Sequence, residues 1–296
     1  MSTVTVIGLG NMGGPMAANL MKAGYRVKGV DPSPQAAGQA QGAGVSIAGS
    51  VAEGVADAHV VITMLPNGAV VAKVLTGDDG VFAHLPTGAL VADCSTIDVP
   101  TARRMHAAAG ESGHRYVDAP VSGGATGAQD ATLTFMVGGD ADAVEQARPV
   151  LEAMGQRVFH AGGPGLGAAA KIANNMLLGI SLAGVCEAFV LAERLGLDPK
   201  TFYDIASTSS GNCWALRTWT PVPGIVEGTP SNNNWKPGFA TNLMLKDMRL
   251  ATGAGEDTST QLDMASTAAG LFERFAAEGN GDLDCTAVIE LIRGKK

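Results

Sequence analysis

One lysine, Lys171, stands in a long apolar stretch, and its surroundings indicate a possible base. No other Asp, Glu, Lys or Arg occurs between Arg157 and Glu187. Free lysine has a pKa of about 10.4, but apolar surroundings penalise the ammonium form and lower that pKa. Asn175 follows four residues later and would share a helix face with Lys171, where its amide could orient the amine or bind a hydroxyl. From periodicity alone, a core helix whose lysine reaches out to water fits equally well.

A second candidate is a glycine-rich loop near the N-terminus. The segment VTVIGLGNMGGPM places G-x-G-x-x-G directly after a predicted strand and before a predicted helix, the context that a dinucleotide-binding loop requires. The first glycine permits a tight turn, the second lets a pyrophosphate approach the backbone, and the third lets helix and strand pack closely. The predicted cofactor-binding residues of this loop are Gly8, Leu9, Gly10, Asn11, Met12 and Gly13.

Asp31 ends the second predicted strand, eighteen residues after Gly13. An acid at this place binds the ribose 2′-hydroxyl of NAD and repels the 2′-phosphate of NADP. The segment PSPQAAG that follows contains no Arg or Lys to hold such a phosphate. We therefore predict NAD as the cofactor, although an aspartate before PSP also suits a turn or a helix N-cap.

Two further strand ends and one Ser-Gly-Gly turn complete the candidate site. Leu65-Pro66 and Ser95-Thr96 each follow a buried strand, and ligands of open α/β sheets bind at such carboxyl ends. In PVSGG, the backbone N–H groups at two glycines and the hydroxyl of Ser122 can form a small anion-binding nest. An ordinary strand-to-loop transition and a plain glycine turn remain alternatives for these segments.

Composition and charge argue against several classes of partner. The chain has 296 residues, a net charge of −8 and a pI near 5.1, without a Lys/Arg run, so we expect no nucleic-acid partner. Its four cysteines and five histidines are scattered without metal-ligand spacing, and we predict neither a disulfide framework nor a metal site. The chain leads directly into a strand, and asparagines interrupt its apolar run. We therefore expect a cytoplasmic protein without a membrane segment.

The order of elements predicts an α/β domain followed by a helical one. Short apolar strands alternate with helices up to residue 160, as in a doubly wound sheet covered on both faces. The predicted strands are 4–7, 27–30, 60–64, 90–93, 116–118, 133–137 and 158–160, and the helices between them are 12–23, 68–75, 99–109 and 141–154. Beyond a Gly/Pro cluster the predicted helices are 168–195, 199–207, 241–254, 260–278 and 285–292. We place a dinucleotide-binding domain at residues 1–163 and a helical substrate and oligomerisation domain at residues 164–296.

Four motifs in order make the chain resemble the β-hydroxyacid dehydrogenases over essentially its whole length. They are the dinucleotide segment VIGLGNMGGPMAANL, the substrate segment DAPVSGG, the catalytic pattern in GAAAKIANN and the C-terminal cofactor segment GFATNLMLKD. The resemblance implies an N-terminal Rossmann-type domain and an all-α C-terminal domain, linked by the long helix that carries Lys171. It also implies a homodimer or homotetramer that oxidises 3-hydroxyisobutyrate to methylmalonate semialdehyde with NAD, a step of valine breakdown.

The resemblance also assigns roles to individual residues. Lys171 would be the catalytic base, assisted by Asn175. The implied substrate contacts are Ser122, Gly123, Gly124 and Asn175, and the implied NAD contacts outside the loop are Leu65, Pro66, Thr96 and Lys246. Lys246 and Asp247 could equally form a solvated ion pair. The alternatives are a relative acting on another short β-hydroxyacid, such as a tartronate semialdehyde reductase, an imine reductase, against which Lys171 argues, and a dinucleotide-binding protein without catalytic activity.

Overall fold

A computed structural model describes residues 2–294 of the chain. The chain divides into two compact units, one up to Lys171 and one from Ile172 onward. The division falls inside the longest helix, Leu166–Arg194.

The first unit is built on a nine-stranded sheet. Its strands are β1 (Thr3–Ile7), β2 (Arg26–Val30), β3 (Ser46–Ile47), β4 (Val60–Thr63), β5 (Leu90–Asp93), β6 (Arg115–Asp118), β7 (Val121–Ser122), β8 (Leu133–Gly138) and β9 (Gly155–Gly162). They lie in the order β3-β2-β1-β4-β5-β6-β8-β7, with β9 on β8. All pairings are parallel except those of β8 with β6 and β7. The seven predicted strands are confirmed, and the two-residue strands β3 and β7 are additions.

Helices cover both faces of this sheet. They are α1 (Gly13–Lys22), α2 (Pro34–Gly42), α3 (Val51–Val55), α4 (Gly68–Thr76), α5 (Val81–His84), α6 (Val99–Glu111), α7 (Gly124–Gln129) and α8 (Ala141–Glu152). Strand β4 shows the double covering, because Val60 and Ile62 belong to one hydrophobic cluster and Val61 to another. Such strands read as continuous apolar runs, which is why the sequence predicts them well.

The second unit is helical in the part of the chain described. Its helices are most of α9 (Leu166–Arg194), then α10 (Pro199–Ala206), α11 (Trp214–Arg217), α12 (Thr241–Asp257), α13 (Asp263–Phe275) and α14 (Val288–Arg293), with short 3-10 turns at Pro230–Asn233 and Cys285–Ala287 and a π turn at Ala276–Asn280. A single hydrophobic cluster joins them around Phe189 and Phe272. The doubly wound α/β unit, the helical unit and the long helix confirm the predicted fold class.

Helix α9 is the one described helix whose length and apolar composition would suffice to cross a membrane. Half of its apolar window is buried within the protein. Core helices of soluble proteins show the same length and composition.

Candidate active site

The glycine-rich loop joins β1 to α1, and its three motif glycines have different surroundings. Gly8 has φ +93°, and a Cβ built on it would overlap the Met64 carbonyl oxygen. A Cβ on Gly13 would overlap the Gly8 carbonyl oxygen, so α1 begins directly on the loop. A Cβ on Gly10, by contrast, would meet no heavy atom within 4 Å. The loop is closely packed at Gly8 and Gly13 and open at Gly10, which fits a pyrophosphate against the backbone at the start of α1.

Asp31 lies against this loop. Its Oδ2 accepts a hydrogen bond from the Leu9 N–H at 2.7 Å, and its Oδ1 accepts one from the Ser33 N–H at 2.7 Å. The N-cap of α2 is Ser33, whose hydroxyl accepts from the Ala36 N–H. Asp31 is thus a turn residue and a neighbour of the cofactor loop at once, and the two sequence interpretations do not exclude each other.

The carboxyl ends of β4 and β5 are held together by side chains. The Leu65 N–H donates to the Ser95 hydroxyl at 2.9 Å, and the Ser95 N–H donates to Asp93 at 3.1 Å. Thr63 and Tyr116 donate their hydroxyls to the same carboxylate. Burial raises the pKa of Asp93 above its usual range, because the charged form loses its hydration. Pro66 and Thr96 follow directly on the bonded residues Leu65 and Ser95.

Strand order brings these ends next to the glycine loop. The sheet continues from β1 to β2 on one side and to β4 on the other, so the direction of winding reverses at β1. The contact of Gly8 with Met64 lies at that reversal. In open α/β sheets this is the place where a crevice for a ligand opens.

The Ser-Gly-Gly turn forms a short strand and the start of a helix. Ser122 ends β7, opposite Thr134 of β8, and α7 begins at Gly124. Gly123 has φ +135° and Gly124 has φ +62°. A φ of +135° favours glycine strongly at Gly123, and the left-handed φ of Gly124 favours it as well. This backbone exposes N–H groups as an anion nest does.

Lys171 lies one and a half turns into α9, and its exposed fraction is only 8%. Ala168 and Ile172 beside it are also buried. Asn175, 3% exposed, follows one turn later on the same face. The structure therefore buries the side chain of Lys171 almost completely. Its role as a base stays a prediction.

The structure adds one residue that sequence reasoning did not select, Asp247. The Asn175 amide donates to Asp247 Oδ2 at 2.5 Å, and the ammonium of Lys246 lies 3.4 Å from Oδ1. Oδ1 is buried without a hydrogen-bond donor, since the Lys246 contact has an ion-pair distance but not hydrogen-bond geometry. The Lys-Asp ion pair considered from sequence is therefore present, but it is not fully solvated, because Asp247 is only 3% exposed.

Close helix packing permits the Asn175–Asp247 hydrogen bond. One turn after Asn175, a Cβ on Gly179 would overlap the Met248 sulfur and lie 3.2 Å from the Met244 sulfur. Asp247 shares the buried face of α12 with these methionines. An acid on an otherwise apolar helix face is a signal that could have identified Asp247 from sequence.

Comparisons with known proteins agree along the whole chain. The family described as the NAD binding domain of 6-phosphogluconate dehydrogenase matches residues 3–162. The family described as NAD-binding of NADP-dependent 3-hydroxyisobutyrate dehydrogenase matches residues 165–292.

Relatives and solved structures give the same picture. A probable 3-hydroxyisobutyrate dehydrogenase of Mycobacterium tuberculosis is 48% identical, over 100% of this chain and 99% of its own length. An NAD-dependent L-serine dehydrogenase of Pseudomonas aeruginosa is 44% identical, over 98% of both chains. A solved structure of Mycobacterium tuberculosis 3-hydroxyisobutyrate dehydrogenase with L-serine covers 99% of each chain with a TM-score of 0.94.

These matches and the geometry of the loop confirm an oxidoreductase with NAD as its cofactor. The predicted resemblance is confirmed as well: the chain belongs to the 3-hydroxyisobutyrate dehydrogenase family of NAD-dependent hydroxyacid dehydrogenases.

Proposed function

We propose that this enzyme oxidises 3-hydroxyisobutyrate to methylmalonate semialdehyde, a step of valine breakdown, with Lys171 as the base. The observation that carries the proposal is the burial of Lys171 one turn before Asn175, on a helix that begins next to the dinucleotide-binding sheet. Burial disfavours the ammonium form, and a base must be neutral to accept a proton.

Each residue has a defined task in this reaction. Oxidation removes a hydride from the hydroxyl-bearing carbon and a proton from the hydroxyl oxygen, which leaves a carbonyl. NAD, when bound, supplies the hydride acceptor. The amine of Lys171 accepts the proton and returns it in the reverse reaction. The N–H groups of Gly123 and Gly124 and the hydroxyl of Ser122 bind the substrate carboxylate. Asn175 orients the amine or the hydroxyl, and Asp247 holds the Asn175 amide in place.

The test compares Lys171→Ala with Lys200→Ala. Lys200 pairs with Asp204 on the surface of α10 and serves as the matched control. Loss of a general base lowers kcat by about 100- to 10,000-fold, whereas the control variant should keep normal kcat. A substrate panel of 3-hydroxyisobutyrate, D-glycerate, L-serine and 4-hydroxybutyrate accompanies both. Normal turnover by Lys171→Ala would contradict the assignment of the base, and a higher kcat/KM for another acid would contradict the proposed substrate.

The pH dependence of kcat provides a second test of the base. If Lys171 must be neutral, kcat for oxidation rises with pH as the amine loses its proton. A kcat that does not rise with pH would contradict the role of Lys171 as the base. The same rise should be absent from the residual activity of Lys171→Ala.

L-Serine is the second candidate substrate. A 44% identical relative is named an L-serine dehydrogenase, and a 48% identical protein has a solved structure with L-serine. L-Serine and 3-hydroxyisobutyrate share a carboxylate and a hydroxymethyl group and differ in an ammonium against a methyl group. The ratio of their kcat/KM values decides between them.

We further propose that the protein is a homo-oligomer. Leu177, Leu191 and Leu195 are 64%, 61% and 77% exposed. Leu177 and Leu191 are fourteen residues apart on α9, close to four full turns, and so lie on one side of the helix. Exposed apolar residues grouped in this way favour association. Light scattering with Leu177→Asp and Leu191→Asp tests this, because a charge at either position should reduce the mass if the face is buried in a dimer or tetramer.

A further inference from the structure

Asp118 is a buried acid to which the proposed reaction gives no task. It ends β6, and its exposed fraction is 1%. Its Oδ1 lies 2.7 Å from His106 Nε2 and accepts the Gly165 N–H at 3.0 Å, and its Oδ2 accepts the Ala168 N–H at 2.8 Å. A buried carboxylate is tolerated when donors surround it, and Asp118 has three.

Two of these donors belong to the start of α9. The first N–H groups of a helix lack partners within the helix, and side chains often supply them. Here the acceptor comes from a strand that ends about fifty residues earlier in the sequence (positions 118 and 168). Because Gly165 lies just before the helix and Ala168 lies inside its first turn, the two hydrogen bonds fix both the position and the rotation of that turn. Lys171 is three residues beyond Ala168.

Close backbone packing also holds the start of α9 against the sheet. A Cβ on Gly167 would overlap the carbonyl oxygens of Asp118 and Met136. A Cβ on Gly138 would lie 2.5 Å from the Gly167 nitrogen and 2.7 Å from Asp118 Oδ1. The first turn of α9 therefore rests directly on the ends of β6 and β8, and it cannot move without displacing the carboxylate.

Asp118 also begins the segment that leads to the proposed carboxylate-binding turn. Its neighbour Ala119 donates its N–H to the Asp93 carbonyl at 2.7 Å, and the Pro120 carbonyl accepts the Met136 N–H at 3.0 Å. Ser122 follows two residues later. Asp118 therefore has its backbone at the end of β6, from which the chain leads to the Ser-Gly-Gly turn. Its side chain lies at the start of α9, the helix that carries Lys171.

We propose that Asp118 is a positioning residue for the reaction: its carboxylate fixes the first turn of α9, and with it the distance between Lys171 and a substrate whose carboxylate lies at Ser122–Gly124. This inference rests on the proposed function. His106 completes the anchor, since its ring nitrogen contacts Asp118 while its ring packs edge-on against Tyr116 at 4.7 Å.

The test uses Asp118→Asn in the full-length enzyme, with Leu151→Ala as control. Leu151 is fully buried in α8 of the same unit, so its truncation lowers stability without removing the anchor. Stopped-flow measurement of NADH formation in a single turnover separates the two effects. The amplitude reports the fraction of folded enzyme, and the rate constant reports the reaction in that fraction.

Asp118→Asn should keep its NAD affinity within about twofold and its single-turnover amplitude, while the rate constant falls. A displacement of about 1 Å at a reacting group lowers rates on the order of 100-fold, so we expect a fall of about 10- to 100-fold. Leu151→Ala should lose amplitude and keep the wild-type rate constant. A wild-type rate constant in Asp118→Asn, or the same loss in both variants, would overturn the proposal.

Two further measurements keep the inference separate from the proposed function. Hydrogen exchange of the amides at residues 165–171 should accelerate in Asp118→Asn and not in Leu151→Ala, and this readout does not depend on substrate. If Asp118→Asn does not fold, His106→Ala weakens the same anchor and should give a smaller fall in the same rate constant. Turnover that does not depend on Lys171 would refute the proposed function, whereas unchanged exchange at residues 165–171 would refute the role of Asp118.

Discussion

Replacing Gly13 with alanine puts a methyl group into the junction between the dinucleotide loop and α1. A Cβ there would overlap the Gly8 carbonyl oxygen and lie 3.0 Å from its carbon. Non-bonded heavy atoms pack at about 3.5–4.0 Å, and because the oxygen lies closer than the carbon, helix and loop must separate by more than about 1 Å. Overpacking of this kind costs about 1–3 kcal/mol. At about 2–4 °C per kcal/mol, the melting temperature of Gly13→Ala should fall by about 2–12 °C.

Gly10→Ala should behave in the opposite way. A Cβ at this position meets no heavy atom within 4 Å, and φ lies outside the left-handed region. Such a Gly→Ala change stabilises a protein by about 0.4–1 kcal/mol, because it restricts the unfolded chain. The same methyl group enters the space that we assign to the pyrophosphate. A steric cost of about 1–3 kcal/mol on the bound complex corresponds to a roughly 5- to 150-fold weaker Kd for NAD.

Two measurements test the predictions for Gly13→Ala and Gly10→Ala. They are thermal unfolding without cofactor and titration with NAD followed by fluorescence. Gly110→Ala serves as control, because Gly110 lies in α6 and a Cβ on it also meets nothing within 4 Å. It should keep both the melting temperature, within a few degrees, and the affinity for NAD. An unchanged melting temperature in Gly13→Ala, or unchanged NAD affinity in Gly10→Ala, would refute the roles given to these glycines.

Three further changes test individual acids. Asp31→Ala should lower the ratio of kcat/KM with NAD to that with NADP by about tenfold, the loss of about one hydrogen bond to a charged group; an unchanged ratio would mean that another residue selects the cofactor. Burial raises the pKa of Asp93 in the folded state, so its contribution to stability is present below its unfolded pKa and is lost as pH rises through the folded pKa. The free energy of unfolding in urea should therefore rise for Asp93→Asn relative to the wild type between pH 4 and pH 8. A difference between the two that stays constant with pH would contradict this. Asp247→Ala removes the acceptor of the Asn175 amide and should lower kcat by about 10- to 150-fold, the loss of a hydrogen bond of about 1.5–3 kcal/mol to a charged acceptor, while Asp263→Ala at an exposed position should leave kcat unchanged.

The sequence predicts the main elements of the sheet unit because their signals are local. Continuous apolar runs identify β4 and β5, which are buried on both faces. Strands β3 and β7 have two residues each, too few to show any period. Helix α2 was not predicted because only Ala40 is buried, so it has no apolar stripe, and it depends on Ser33 as N-cap with Pro34 in its first turn.

The residues of the candidate site likewise differ in whether a local sequence signal identifies them. The glycine loop and the Lys171/Asn175 pair are contained in short segments, and their spacing is visible in sequence. The tasks of Asp118 and Asp247 depend on partners 50 and 72 residues away. Spacing along one chain cannot show such pairs, although the apolar neighbours of Asp247 on α12 mark it as an unusual acid.

The buried charged residues between positions 2 and 294 show why a lysine is the candidate base. Four aspartates are buried, Asp93, Asp118, Asp247 and Asp284, and Lys171 is the one buried Lys or Arg in this range. Asp93, Asp118 and Asp284 have both carboxylate oxygens engaged by N–H or O–H donors of the surrounding segments. Carboxylates engaged in this way hold the surrounding segments together, because their donors come from several different elements. Asp247 alone keeps an oxygen without a hydrogen-bond donor, yet its other oxygen holds Asn175. The four buried acids are engaged in holding parts of the structure, and we therefore propose the base at the one buried lysine, Lys171.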